Sequence, residues 1–100
     1  MKFEWDDNKN ARNKQKHKIG FEEVKTVFDD KNAIEFEATQ HGEYRIVRIG
    51  KTAAQFILFV VYTMRGMVVR LISARQAKKE ERNLYIERKF KNQKDGNPDR

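Results

Sequence analysis

The residue best suited to proton transfer in this chain is His17, which stands between Lys16 and Lys18. An imidazole exchanges protons near neutral pH, and the neighbouring ammonium groups attract phosphate. Arg75 follows an apolar segment and carries a planar guanidinium suited to phosphate oxygens, and Tyr85 could supply a hydroxyl or stack on a base. Cleavage of a phosphodiester needs a proton acceptor, cations for the phosphate and a proton donor. His17, Lys16, Arg75 and Tyr85 are therefore the catalytic candidates.

Each candidate also has a structural interpretation that the sequence leaves open. A protonated His17 would favour the C-terminal end of a helix through the helix dipole. Arg75 could form an ion pair with Glu81 or Glu22, and Tyr85 could lie in the core with its hydroxyl bonded.

The charge of the chain predicts a polyanionic partner, because neutralised phosphates release counterions. The net charge is +7, and residues 1–40 carry 8 basic and 9 acidic side chains, so the excess lies in the C-terminal 60 residues. A basic face that only keeps the protein soluble is the alternative. At most one of Arg45 and Arg48 faces the same groove as Arg75, because side chains alternate along a strand. The residues predicted to bind RNA are Arg45, Arg48, Lys18, Lys78 and Lys79.

Several classes of protein are disfavoured by the composition. The chain has no cysteine, and its two histidines, His17 and His41, lack metal-ligand spacing, so neither a disulfide, a metal nor a cofactor is expected. No apolar run approaches the ~20 residues of a membrane span, and the first residues have no apolar signal segment. We expect a cytoplasmic protein without a membrane partner, and 100 residues allow one domain.

Periodicity predicts an α+β fold with two N-terminal helices, a central antiparallel β-sheet and a C-terminal helix, all helices lying on one side. Asp6 is the expected N-cap of the first helix and Gly20 of the second, where Glu23 occupies the capping-box position. The predicted strands cover residues 3–5, 33–36, 44–49, 56–63 and 67–73, and the predicted helices cover 7–17, 21–28 and 76–91. The domain is expected to span 1–90, followed by a flexible basic tail at 91–100.

Three separated, colinear motifs resemble those of the BrnT toxins. They are Trp5-Asp6 with Lys9, Asn13, Lys16-His17, Ile19 and Phe21-Glu22-Glu23; Val60-Val61-Tyr62-Thr63 with Arg65-Gly66; and Ser73-Ala74-Arg75 with Ala77, Glu81 and Tyr85. The resemblance implies a RelE-like ribonuclease fold and the toxin half of a bacterial type II toxin–antitoxin pair. It also implies a cognate antitoxin with a ribbon-helix-helix DNA-binding domain, through which the toxin would reach operator DNA.

The resemblance and the residue chemistry together predict a metal-independent endoribonuclease that cleaves mRNA through attack by the 2′-hydroxyl and so inhibits translation. Two alternatives remain. One is a non-catalytic RNA-binding protein, and the other is a corepressor that acts only with the antitoxin at operator DNA.

Overall fold

A single five-stranded sheet with flanking helices makes up the computed structural model, which describes residues 1–95. In chain order the elements are β1 (Lys2–Glu4), α1 (Asp7–His17), α2 (Phe21–Val24), a 3₁₀ helix (Lys25–Asp29), β2 (Ile34–Glu37), β3 (Ile46–Lys51), β4 (Ile57–Arg65), β5 (Val68–Gln76) and α3 (Lys79–Asp95). The α+β class predicted from the sequence is confirmed. No helix in this described part is both long and apolar enough to cross a membrane.

The strands lie in the order β1-β5-β4-β3-β2, so β1 and β2 are the edges of the sheet. The four later strands pair antiparallel, as predicted, but β1 pairs parallel to β5. The side of β5 that faces away from β4 is available for pairing, and the short strand β1 pairs there. The contact between β1 and β5 covers only residues 68–70 of β5, so the outer side of residues 71–76 has no strand beside it.

A β-bulge at Ile72 reverses the side-chain alternation of β5. Leu71 pairs with Tyr62 and Ser73 pairs with Val61, so Ile72 has no partner residue on β4. An extra residue of this kind changes which face the following side chains occupy.

Regular alternation along β5 would place Val69, Leu71, Ser73 and Arg75 on one face, and the bulge ends this pattern after Leu71. Val69, Leu71 and Ala74 are buried on one face, whereas Ser73 and Arg75 lie on the other.

Both faces of the sheet are packed against helices, which corrects the expectation that all helices lie on one side. The helices α1 and α2 cover one face, where buried residues form the larger core: Ile19, Phe21, Val24, Val27, Leu58, Val60, Tyr62, Val69, Leu71 and Ala74. On the other face Tyr85 of α3 packs with Val47 and Ile49 and against the partly buried Phe59 and Val61. The continuous apolar segment in β4 is explained by this arrangement, since a strand covered on both faces needs apolar residues at successive positions.

The first helix begins as the sequence predicts. The Asp6 carboxylate accepts hydrogen bonds from the backbone N–H groups of Asn8 at 2.8 Å and Lys9 at 3.1 Å, and these bonds lower its pKa. The helix ends at His17, and Lys18 then adopts a left-handed conformation with φ 62°.

The second predicted helix is split into two short helices. Gly20 is the N-cap, as predicted, but no side chain caps this end, and the α-helix becomes a 3₁₀ helix after Val24. The last helix begins at Lys79 instead of residue 76, because Gln76 still pairs with Leu58 in the sheet. It continues to Asp95, so the first five residues of the predicted tail are helical. The other five, 96–100, lie outside the described residues.

Asn13 joins α1 to the exposed side of β5. Its amide Nδ2 donates to the carbonyl oxygen of Ile19 at 2.9 Å, and its Oδ1 accepts the backbone N–H of Ala74 at 3.0 Å. Only 6% of Asn13 is exposed. Because Ala74 lies beyond the part of β5 that pairs with β1, its N–H would otherwise lack a partner.

We expect Asn13→Ala to lower the free energy of unfolding by about 2–4 kcal/mol, since it leaves a buried donor and a buried acceptor unpaired. Urea denaturation followed by circular dichroism measures the change. Asn8→Ala is the matched control, because Asn8 lies on the same helix with an exposed side chain. Equal stability of the two variants would show that the Asn13 bonds contribute little.

Candidate active site

A basic groove lies between α1 and β5 and is named here the α1–β5 groove. Its open volume is about 350 Å³, and its lining residues are Lys9, Arg12, Asn13, Lys16, His17, Ile72 and Ser73. Successive α1 residues in this set are three residues or one residue apart in sequence, which places all five on one side of the helix. Four of the seven lining residues are basic or histidine and none is acidic. This charge and the open shape suit a phosphodiester chain.

Two of the predicted catalytic residues, His17 and Lys16, meet in this groove. His17 is half-buried and Lys16 is exposed. Lys18 is not part of the lining, because the left-handed turn directs it elsewhere, and its Nζ donates to the carbonyl oxygen of Gln15 at 3.4 Å.

Sequence reasoning missed Lys9, Arg12 and Ser73 as members of the groove. Arg12 and Lys9 could have been found by counting back four and seven residues from Lys16 along α1, since the helix itself was predicted correctly. Ser73 could not have been found, because its direction depends on the bulge at Ile72.

Arg75 is held by an ion pair, which was one of the two sequence interpretations. Its Nη1 and Nη2 donate to the two carboxylate oxygens of Glu81 at 2.8 and 2.9 Å, and the guanidinium carbon lies 4.0 Å from the centroid of the Phe59 ring. Glu81 also accepts the backbone N–H of Lys78 at 2.7 Å. The paired hydrogen bonds raise the pKa of Arg75 and lower the pKa of Glu81.

Arg75 stands at the border of the α1–β5 groove without lining it. It follows Ser73 by two residues on the same face of β5, a Cα separation of roughly 7 Å in an extended strand. A bound chain that extends past Ser73 would therefore come within reach of the guanidinium.

Tyr85 lies away from the α1–β5 groove and packs in the core, which is the second of its two sequence interpretations. Only 1% of the residue is exposed, and its hydroxyl donates to Asp30 Oδ2 at 2.6 Å. Burial and this hydrogen bond raise the pKa of Tyr85. Burial alone would raise the pKa of Asp30, but hydrogen bonds from Tyr85, Lys51 and Asn32 hold that pKa below its usual value. The expectation that Tyr85 reaches the substrate has no support in this geometry.

Arg48 also lies inside the fold and not at a free surface. Its guanidinium donates to the carbonyl oxygens of Val27 at 3.2 Å and Asp30 at 3.0 Å and to the Glu35 carboxylate at 3.0 Å. The ring of Phe28 lies beneath it. These contacts occupy the donors that RNA binding by Arg48 would need, so the corresponding expectation also lacks support.

The remaining predicted RNA contacts are dispersed around the sheet. Arg45 pairs with Glu43 at 3.2 Å in the loop before β3. Lys78 and Lys79 are exposed at the start of α3. None of the three lines the α1–β5 groove. Within residues 1–95, no group of three or more His, Cys, Asp or Glu side chains comes together.

Comparison with known proteins identifies the family. A sequence model of the family described as the ribonuclease toxin, BrnT, of type II toxin–antitoxin systems matches residues 5–81. The chain belongs to the BrnT toxin family. The crystal structure of the Brucella abortus ribonuclease toxin BrnT is similar to this chain, with a TM-score of 0.63 and 27% sequence identity over 79% of this chain and 99% of that one. No curated protein sequence matches the chain.

The BrnT match confirms the resemblance seen in the three sequence motifs. BrnT proteins are ribonuclease toxins of type II toxin–antitoxin systems, so RNA is the implied substrate and an antitoxin is the implied partner. The matched region contains the whole α1–β5 groove together with Arg75 and Glu81, whereas Tyr85 lies outside it.

We expect Glu81→Gln to lower the free energy of unfolding by about 1 kcal/mol at pH 7, because one charge of the Arg75 pair is lost. The pKa of Glu81 is lowered in the folded state, so the unfolded chain binds more protons just below its ordinary value of 4.5. The contribution of Glu81 is therefore present above about pH 4.5 and lost as the pH falls through the lowered folded pKa.

Urea denaturation of the unmodified chain and Glu81→Gln between pH 3 and pH 7 measures this difference. The exposed neighbour Glu80 provides the control, Glu80→Gln. A difference between the unmodified chain and Glu81→Gln that stays constant over the whole range would contradict the assigned pKa direction.

Proposed function

We propose that this BrnT protein is an endoribonuclease that cleaves mRNA without a metal ion and thereby inhibits translation, with its catalytic centre in the α1–β5 groove. The observation that carries the proposal is the convergence of His17, Lys16, Arg12 and Lys9 in one open groove whose described lining has no carboxylate. A groove of this charge suits the RNA backbone and places the imidazole of His17 beside it.

In the proposed mechanism His17 accepts the proton of the 2′-hydroxyl. The 2′-oxygen then forms a bond to phosphorus while the bond from phosphorus to the 5′-oxygen breaks. The ammonium of Lys16 gives a proton to the departing 5′-oxygen, and Lys9 and Arg12 stabilise the negative charge on the phosphate. The products are a 2′,3′-cyclic phosphate and a 5′-hydroxyl end. Proton exchange with water restores His17 and Lys16.

Arg75 is proposed to bind a neighbouring phosphate, because it borders the groove and a phosphate can take the place of the Glu81 carboxylate. Lys18, Lys78, Lys79 and Arg45 then form more distant basic contacts to the RNA. Since Tyr85 and Arg48 donate their hydrogen bonds inside the protein, we assign them to positioning the sheet and helices.

Family membership supports the finer features of the proposal. We infer a RelE-like fold, a cytoplasmic location and an antitoxin with a ribbon-helix-helix domain that carries the toxin to operator DNA. The support is the type II toxin description of the family and the antiparallel arrangement of β2 to β5.

His17→Asn should reduce the rate of RNA cleavage about 10²–10⁴-fold, the range for one general acid or base. The assay follows a labelled RNA with EDTA present throughout and identifies the new ends. The matched control is His41→Asn, which changes the other histidine, an exposed residue with φ 55° that asparagine accommodates. Unchanged cleavage by His17→Asn would contradict the assigned role. Saturable RNA binding without cleavage by the unmodified chain would favour the RNA-binding alternative.

Arg75→Ala should reduce cleavage by tenfold or more, roughly the effect of losing one charged contact to phosphate, whereas Glu81→Gln should keep cleavage within about threefold. The two changes break the same ion pair, but only the first removes the phosphate contact. Cleavage is measured at a temperature where circular dichroism shows both variants folded. Equal losses in the two variants would assign Arg75 to structure alone.

A further inference from the structure

A second open groove lies between β2 and α3 and is named here the β2–α3 groove. Its volume is about 520 Å³, and the residues that matter for its chemistry are Ile34, Phe36, Leu84, Glu87, Arg88 and Lys91. It is separate from the α1–β5 groove, because β4 and β3 lie between β5 and β2 in the sheet.

The outer side of β2 offers unpaired backbone groups. Within the described residues 1–95, β2 pairs with β3 alone, and the N–H of Ala38, just after β2, donates to the carbonyl oxygen of Arg45 at 2.9 Å. Hydrogen bonding alternates along an antiparallel pair, so Ile34 and Phe36 bond toward β3, whereas the N–H and C=O groups of Glu35 and Glu37 point outward. An edge of this kind can accept another strand.

Apolar side chains beside this edge are exposed to an unusual degree. Phe36 is 46% exposed and Leu84 is 53% exposed, and both line the groove. Among the described side chains of α3, through residue 93, Tyr85 alone is buried. The helix is therefore only partly covered by its own chain, and a partner could bury the apolar lining.

The charges of the groove favour a protein over RNA as the occupant. The carboxylates of Glu35 and Glu87 line it and would repel phosphate. Glu87 already faces Lys91 at 4.0 Å and Glu35 faces Arg48 at 3.0 Å, whereas Arg88 forms no ion pair with the side chains described through residue 93. The complementary occupant has apolar side chains for Phe36 and Leu84 and a carboxylate for Arg88.

We propose that the antitoxin docks here by adding an extended, largely apolar segment, with a carboxylate placed for Arg88, as a sixth strand beside β2. This inference rests on the proposed function, because the partner it names is the antitoxin of a toxin–antitoxin pair. It deepens that function by placing the partner on the sheet edge remote from the catalytic groove.

Backbone pairing is tested by Glu37→Pro with Glu37→Ala as the matched control. Both changes remove an exposed carboxylate, but only proline removes the outward N–H, and an edge strand tolerates proline. Titration calorimetry with the cognate antitoxin should show binding weakened by at least about tenfold for Glu37→Pro and changed by less than about threefold for Glu37→Ala. Equal affinities for the two variants, both shown folded by circular dichroism, would overturn the added strand.

The apolar contacts are tested by a double variant, Phe36→Ser with Leu84→Ser. Ile86→Ser with Phe90→Ser is the control, because these residues are 54% and 69% exposed on the same helix but do not line the groove. The groove variant should bind the antitoxin at least about tenfold more weakly and should arrest growth even when the antitoxin is co-expressed. The control should be neutralised normally.

Three outcomes would overturn the docking site: normal binding by the groove variant, equal losses in the control, or a loss of RNA cleavage with antitoxin affinity intact. The last would assign the groove to RNA. Failure of the unmodified chain to cleave RNA would contradict the proposed function and not the docking site. The affinities of the variants for the antitoxin could still be compared, since calorimetry does not depend on cleavage.

Discussion

The hydrogen bonds of one buried amide, that of Asn13, hold the two sides of the α1–β5 groove together. Asn13 connects the turn after α1 to the backbone of β5 at Ala74, next to the bulge. The bulge places Ser73 on the face of β5 that also carries Arg75, and the amide fixes how closely α1 approaches the outer side of the strand. Lys16 and His17 lie one turn further along the same helix. Their position relative to the strand therefore depends on a contact that carries no charge and takes no part in chemistry.

Asp30 makes a second set of connections, which join α3 and β3 to the segment after the 3₁₀ helix. Its carboxylate accepts bonds from Tyr85 on α3 and from the backbone of Lys51 on β3, and its carbonyl oxygen accepts from Arg48. Gly50 makes this approach possible, because a Cβ at that position would lie 2.9 Å from side-chain carbons of Val27 and Ala33. Arginine and tyrosine, residues that often contact RNA, are used here to join secondary structure elements.

The sequence predicted the features that depend on local chemistry. Asp6 caps α1 as expected, since its partners are two and three residues away, and the strand predicted at 56–63 corresponds to β4. Features that depend on distant partners were not predicted. The bulge at Ile72, for example, depends on the register with β4. For Arg75 and Tyr85 both roles were foreseen, and the choice between them required the positions of Glu81 and Asp30.

The order of the strands has a consequence for how such a toxin can be inhibited. β5 and β2 are separated by two strands, so a segment added on the outer side of β2 lies four strand spacings, about 19 Å, from the strand that borders His17. Anchoring alone would leave the α1–β5 groove open. Inhibition at that groove then requires a tether, and about six extended residues span this distance. The anchor raises the effective concentration of the blocking segment, so a blocking contact too weak to act alone becomes sufficient when linked.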